Sequence, residues 1–159
     1  MAITLNELTV NFDHLERERL LEDWCWLLGQ VTQPILLTAA GDAFVLDVRD
    51  GSIHLLDVAA GELLRVADGM TGFRALLADR EFVLNHFAVE RVVNLRDAGV
   101  ILGPGEIYSF RHPPVLGGEY TLENVEPADI EVHFSLAGQI HQQVRDLPPG
   151  TVVEKISIE

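Results

Sequence analysis

Four short apolar runs between Pro34 and Val66, joined by connections of only a few residues, constrain the fold of this chain more than any other feature. Parallel neighbours in a sheet need crossovers of a dozen residues or more, so runs this close together pair antiparallel. Ile35-Leu36-Leu37 is punctuated by Gly41-Asp42, and Phe44 to Val48 follows. Arg49-Asp50-Gly51-Ser52 then carries the Asp-Gly signal of a tight hairpin, answered by Ile53 to Val58. Ala60-Gly61-Glu62 turns the chain into Leu63 to Val66. The reading is a meander of three or four antiparallel strands.

Helical spacing flanks it. Leu20, Trp24, Leu27 and Leu28 recur at helical intervals, with Asp13 as N-cap, Glu16 in the capping-box position and Gly29 as a left-handed terminator. One helix from Asp13 to Gly29 is expected. Phe73, Leu76 and Leu77 predict a second helix, and Phe82 to Val93 a third, separated near Ala78-Asp79 and ended at Asp97-Ala98-Gly99. Beyond Val100 the chain is rich in loops, with a short strand at Ile107 to Phe110. Pro127 to Val144 carries both periods; its length favours a helix over a strand, despite Gly138. Val152 to Ile158 reads as a final edge strand. No linker, repeat or low-complexity tract divides residues 1–159, so the expected fold class is α+β: a single domain with an antiparallel β-meander packed against several helices.

Charge narrows the function classes. The net charge is −14, and it divides into −7 over residues 1–80 and −7 over residues 81–159, so the whole body is acidic. Nucleic-acid affinity depends on Lys and Arg releasing counterions, which disfavours direct binding of nucleic acid. An acidic field instead steers a basic partner. The N-terminus has no basic segment followed by a long apolar run, no stretch approaches the length of a membrane span, and the one cysteine, Cys25, forms no internal disulfide. A cytoplasmic protein that does not engage membrane is the expectation.

Motifs for catalysis are missing. No nucleophile elbow, phosphate-binding glycine loop or HExxH motif occurs, and Asp47 to Gly51 lacks the ligand spacing of a calcium loop. His133 and His141 lie eight residues apart, about 12 Å along a helix and too far for one metal. Cys25, between two tryptophans, reads as a core or boundary thiol. No catalytic residue, metal site or cofactor is assigned.

Binding has better candidates. From Pro113 to Gly150 the chain carries Glu119, Glu123, Glu126, Asp129 and Glu131, with no Lys or Arg between Arg111 and Arg145. Tyr108, Arg111 and Tyr120 sit beside proline and glycine turns, and Tyr and Arg are favoured interface anchors. The candidate partner-binding set is therefore Tyr108, Arg111, Glu119, Tyr120, Glu123 and Glu126; the competing reading has these aromatics capping the core beneath a long loop.

Several blocks carry a family resemblance. Trp24-Cys25-Trp26-Leu27-Leu28-Gly29, Thr38 to Phe44 and Asp50 to Asp57 look like the opening of a bacterial domain of long-unknown function. Gly105 to Phe110, Pro114-Val115-Leu116-Gly117-Gly118-Glu119-Tyr120 and Gly138 to Gly150 match its second half more closely. Over roughly residues 20–155 the chain thus resembles the C-terminal domain of type VI secretion immunity proteins that neutralise DNase effectors. The named immunity proteins carry an additional N-terminal domain. The resemblance implies a non-enzymatic protein that binds a cognate toxin with a basic surface. Two alternatives stay open: a small metal- or ligand-dependent enzyme using His54, His133 and acidic neighbours, and an adaptor that works as a homo-oligomer.

Overall fold

The computed structural model describes residues 3–159; of the N-terminal segment read above, Met1 and Ala2 lie outside the described residues. At its centre is the predicted meander, β2 (Thr32–Thr38), β3 (Ala43–Asp47), β4 (Ile53–Asp57) and β5 (Glu62–Ala67), antiparallel and adjacent in chain order. A two-residue strand, β1 (Thr9–Val10), extends it on the β2 edge and follows a single helical turn, α1 (Leu5–Leu8). Neither short element carries enough residues to show a period in sequence.

Alternation along the strands builds two cores, one on each face. Ala43, Val45, Leu56 and Val58 face a cluster containing Trp24, Ile107, Ile130 and Phe134. Phe44, Ile53 and Leu55 face the other, with Phe73, Phe87, Val92, Leu95 and Tyr108. The second cluster is covered by α4 (Met70–Leu77), α5 (Arg80–His86) and α6 (Val89–Asp97). Asp79 caps α5 by accepting from the Glu81 and Phe82 amides, as the separation near Ala78-Asp79 predicts. The single helix expected over Phe82 to Val93 is, however, two: Ala88 takes a left-handed conformation (φ 49°) between α5 and α6. That break lets Phe87 be fully buried while Val92 and Leu95 fill the same core from a new axis.

The first core is closed by α7 (Ile130–Val144), the predicted helix, which packs against the N-terminal segment. Here the expected helix from Asp13 to Gly29 is corrected. It is broken into α2 (Arg17–Leu20), a 3-10 turn at Glu22–Trp24 and α3 (Cys25–Leu28), and Asp13 caps none of them. The cause lies across the molecule. Trp24 Nε1 donates to the Phe134 carbonyl (2.9 Å) and Trp26 Nε1 to the Gly138 carbonyl (3.2 Å), both on α7. Residues two apart on a regular α-helix face away from each other, so the helix must break for both indoles to reach one partner. Gly29, at φ 74°, does close α3. Cys25 is exposed and not the core or boundary thiol expected from its neighbours.

A second sheet pairs β6 (Glu106–Phe110) with β7 (Val125–Asp129), the latter unanticipated because it runs directly into the α7 N-cap, Asp129. The expected edge strand at Val152 to Ile158 forms no strand. No helix among the described residues is long and apolar enough to cross a membrane.

Candidate functional site: a cleft at the turn end of the sheet

Hairpin turns alternate between the two ends of a meander, so the β2–β3 turn (Gly41) and the β4–β5 turn (Gly61) share one end, two strand spacings or about 10 Å apart. Helix α7 crosses that end, and its two buried histidines, about 12 Å apart along the axis, meet the two turns. A Cβ on Gly41 would lie 2.7 Å from His133 Nε2, and one on Gly61 would lie 2.4 Å from His141 Nδ1. Glycine is required at both positions twice over, by positive φ and by the imidazole against it. The histidines are thus docking residues of α7.

His133 is fully partnered. The Gly41 carbonyl only accepts, so Nε2 donates to it (2.8 Å), and Nδ1 is left to accept the Ser109 hydroxyl (2.8 Å). Burial pushes its pKa down to about 4, which keeps the imidazole neutral. His54 is bonded to Ser52, whose hydroxyl meets Asp50 at 2.6 Å. Because the Ser52 hydroxyl donates its one proton to the hydrogen bond with Asp50, His54 Nε2 is left to donate to the serine oxygen. His54 also lies away from the cleft that His133 lines. Among the described residues no group of three or more His, Cys, Asp or Glu is placed to hold a metal ion.

Between α7, these turns, the α5–α6 junction and the loop after β6 lies a cleft of about 520 Å³, within the usual range for a binding site. Ala88, the left-handed residue of that junction, is part of its lining. Asp42, next to Gly41, is enclosed by protein but keeps accessible surface because it lines the cleft. Its Oδ1 accepts the Val58 amide (2.9 Å), and no group among the described residues donates to Oδ2. Desolvation, reinforced by Asp57, raises its pKa from 3.8 to about 7. Arg91 opposes that shift from α6, its guanidinium 5.1 Å from the centre of the Phe110 ring.

The cleft collects half of the candidate binding residues. Arg111, Tyr120 and Glu126 line it, with Arg111 and Glu126 paired at 3.5 Å and Tyr120 edge-on to Phe110. Glu119 and Glu123 are exposed on the adjoining loop and do not line the cleft. Tyr108 stands apart: it is 2 % exposed and its hydroxyl donates to the Val100 carbonyl, so it supports the site from within the core. The loop from Arg111 to Asn124 is built by internal bonds. Asn124 donates to the His112 and Glu119 carbonyls and accepts the His112 amide, and a Cβ on Gly118 would lie only 1.8 Å from the His112 oxygen. The Gly117-Gly118 pair is therefore a folding requirement of the loop. Asp42, Asp57 and Arg91 escaped the sequence reading because each looked like an ordinary turn or helix-surface residue.

One stretch of the chain, which includes the loop after β6 and most of α7, is similar to a known family. Residues 67–141 match the family of the T6SS immunity protein Tdi1, C-terminal domain. The Tdi1 match begins at the end of β5 and stops at His141, so it holds Arg91, Arg111, Tyr120, Glu126 and both docking histidines. It includes the blocks Gly105 to Phe110 and Pro114 to Tyr120 and only the start of Gly138 to Gly150, and it leaves out those around Trp24 and Gly51. Among solved structures, the chain is similar to Atu4351 from Agrobacterium tumefaciens, with 21% identity and a TM-score of 0.51 over 79% of this chain. The likeness spans 65% of the Atu4351 chain and shows a shared fold. The comparison with curated proteins gives no match.

Proposed function

We propose that this chain is an immunity-type protein that binds a cognate toxin and blocks it without chemistry, in the cytoplasm. The observation that carries the reading is the Tdi1 C-terminal match, because it spans the cleft-forming loop and helices. The charge of −14 supports a toxin with a basic surface, such as a nuclease whose DNA groove an acidic protein would find and cover. Arg111, Tyr120 and Glu126 at the cleft and Glu119 and Glu123 on the loop beside it form the contact surface of this reading, with Tyr108 as its internal support. The internal bonds of the loop favour a preformed interface, since ordering a loop on binding weakens affinity.

Co-expression with the cognate toxin provides the test. The chain is expected to restore growth and, when purified, to abolish toxin activity once equimolar. Replacing Glu119, Glu123 and Glu126 together with Lys should slow association and flatten its salt dependence. Failure of the unaltered chain to bind or protect would remove the immunity reading, whereas unchanged affinity and salt dependence in the variant would move the interface away from this loop.

A further inference from the structure

The cleft contains an acid whose bonding is incomplete. Buried polar groups are normally hydrogen-bonded, and the neighbours of Asp42 obey this: both nitrogens of His133 are used, and the Thr38 hydroxyl accepts the Asp42 amide. Asp42 Oδ2 has no donor among the described residues and is not a buried orphan: it keeps accessible surface toward the cleft, free to take a donor from there. Local charge is also unbalanced. Asp42 and Asp57 face one guanidinium, Arg91, which forms no ion pair among the described residues, while Arg111 and Glu126 satisfy each other. When Asp42 is ionised, it, Asp57 and Arg91 together carry one negative charge more than positive.

The rim states what should bring the balancing positive charge. Val115, Tyr120, Val132 and Leu136 all line the cleft and are all exposed, from 38% for Val115 and Leu136 to 62% for Tyr120. Exposed apolar groups around a concave site suit a macromolecular cover. A lysine or arginine has the matching form, an aliphatic stem with a charged, donating head. We propose that the cleft is the socket for one Arg or Lys side chain of the protein partner, its head on Asp42 Oδ2 beside Asp57 and its stem against Val115, Tyr120, Val132 and Leu136. This rests on the immunity reading and gives it a specific anchor in place of a diffuse acidic surface.

Binding should carry a proton signature. The titratable and charged groups around Asp42 are Asp57, Arg91 on α6, His133 and His141 on α7, Glu126 on β7 with its partner Arg111, and Tyr120 on the loop; His86 also lines the cleft. Both α7 imidazoles are shifted downward by burial, while the Asp42 carboxyl is raised so that it changes charge near pH 7. Ionised Asp42 binds a cation and protonated Asp42 does not, so affinity rises with pH.

The test titrates the full chain with acetyl-Gly-Arg-Gly-amide and its Gly-Ala-Gly counterpart, followed by amide NMR. The arginine peptide is expected to shift Gly41 to Ala43 and Val58 with a dissociation constant of about 1 mM. Affinity should weaken about tenfold from pH 8 to pH 6, with the midpoint unmoved by His86→Gln. Asp42→Asn should fold, because an amide removes a buried charge, and should lose the arginine peptide at least about tenfold at pH 8. Equal shifts from the two peptides, or wild-type affinity in Asp42→Asn, would overturn the socket. The toxin complex separates the two levels of the claim. If the unaltered chain binds no toxin, the immunity reading falls. If it does and Asp42→Asn binds equally, only the socket falls.

Discussion

His133 and Asp42 meet the same β2–β3 turn, one bonded to the Gly41 carbonyl and the other next to Gly41 in the chain, yet they are built on opposite terms. His133 has a partner for each nitrogen and is held neutral, as a residue that locks α7 to the sheet should be. Asp42 has one oxygen bonded and the other turned to an open cleft, and burial makes its charge unfavourable. A buried polar group with every bond made is explained by the fold alone. One with a bond to spare, beside a cavity, costs stability that the fold does not need to lose. The contrast separates anchoring from binding within a few ångströms.

The largest effect should come from breaking the anchored side. Gly41→Val adds a Cβ where His133 Nε2 would be 2.7 Å away and the Tyr108 carbonyl 3.0 Å away, at φ 97°. A loss of more than about 3 kcal/mol is expected in urea unfolding, from steric displacement added to left-handed strain. Gly51→Ala is the matched control, at φ 77° with nothing within 4 Å, and should lose only about 1 kcal/mol. Equal losses would mean that His133 yields easily and is no lock. His133→Leu comes next: it leaves the buried Gly41 carbonyl and the Ser109 hydroxyl without their partner, for about 2 kcal/mol.

On the Asp42 side the sign reverses. The folded pKa of Asp42 is raised to about 7, so the folded state binds more protons than the unfolded one between pH 3.8 and 7, and stability falls as pH rises through that window. The folded pKa of His133 is lowered to about 4 from 6.5, so stability rises with pH across that interval. The two trends oppose each other up to pH 6.5, above which only the Asp42 loss continues. Asp42→Asn should therefore stabilise the protein at pH 8 by roughly 1 kcal/mol or more, lose that advantage below pH 4, and expose the acid sensitivity of His133 between. Thermal melts of both proteins across this range check it. A destabilised Asp42→Asn at pH 8 would place Asp42 with the anchors.

Local signals explain what was legible in the sequence. The meander could be read because strand period and glycine turns lie within a few residues of one another, and α7 because fifteen residues outweighed an ambiguous pattern. The broken N-terminal helix could not, since its cause is the reach of Trp24 and Trp26 to carbonyls about 110 residues away. Gly138 looked like a flaw in α7; in the fold a Cβ there would meet the Asp23 carbonyl oxygen at 2.6 Å. The acidic loop was visible as composition. The cleft was not, because Asp42, Arg91 and Tyr120 come from separate elements and share only their position in space.

The smallest expected effect belongs to the outer face of α7, where bonding is again complete but solvent competes for it. The C-terminal segment forms no strand, yet it runs extended along two glutamines. Gln143 exchanges bonds with the Ser157 main chain (2.6 and 3.0 Å), and Gln139 does the same with Glu159 (3.2 and 2.7 Å). Four residues of helix rise about 6 Å and two of extended chain about 6.7 Å, so the side chains keep register with alternate main-chain groups. Each bond is exposed and worth little net of hydration. Replacing Gln139 and Gln143 together with Ala should change global stability by less than about 1 kcal/mol. Amide exchange at Ser157 and Glu159 should nonetheless accelerate severalfold, because local opening no longer has to break the paired contacts. A global loss as large as that of His133→Leu would show that α7 is held from its outer face as firmly as from its buried one, and the distinction between the two faces would fail.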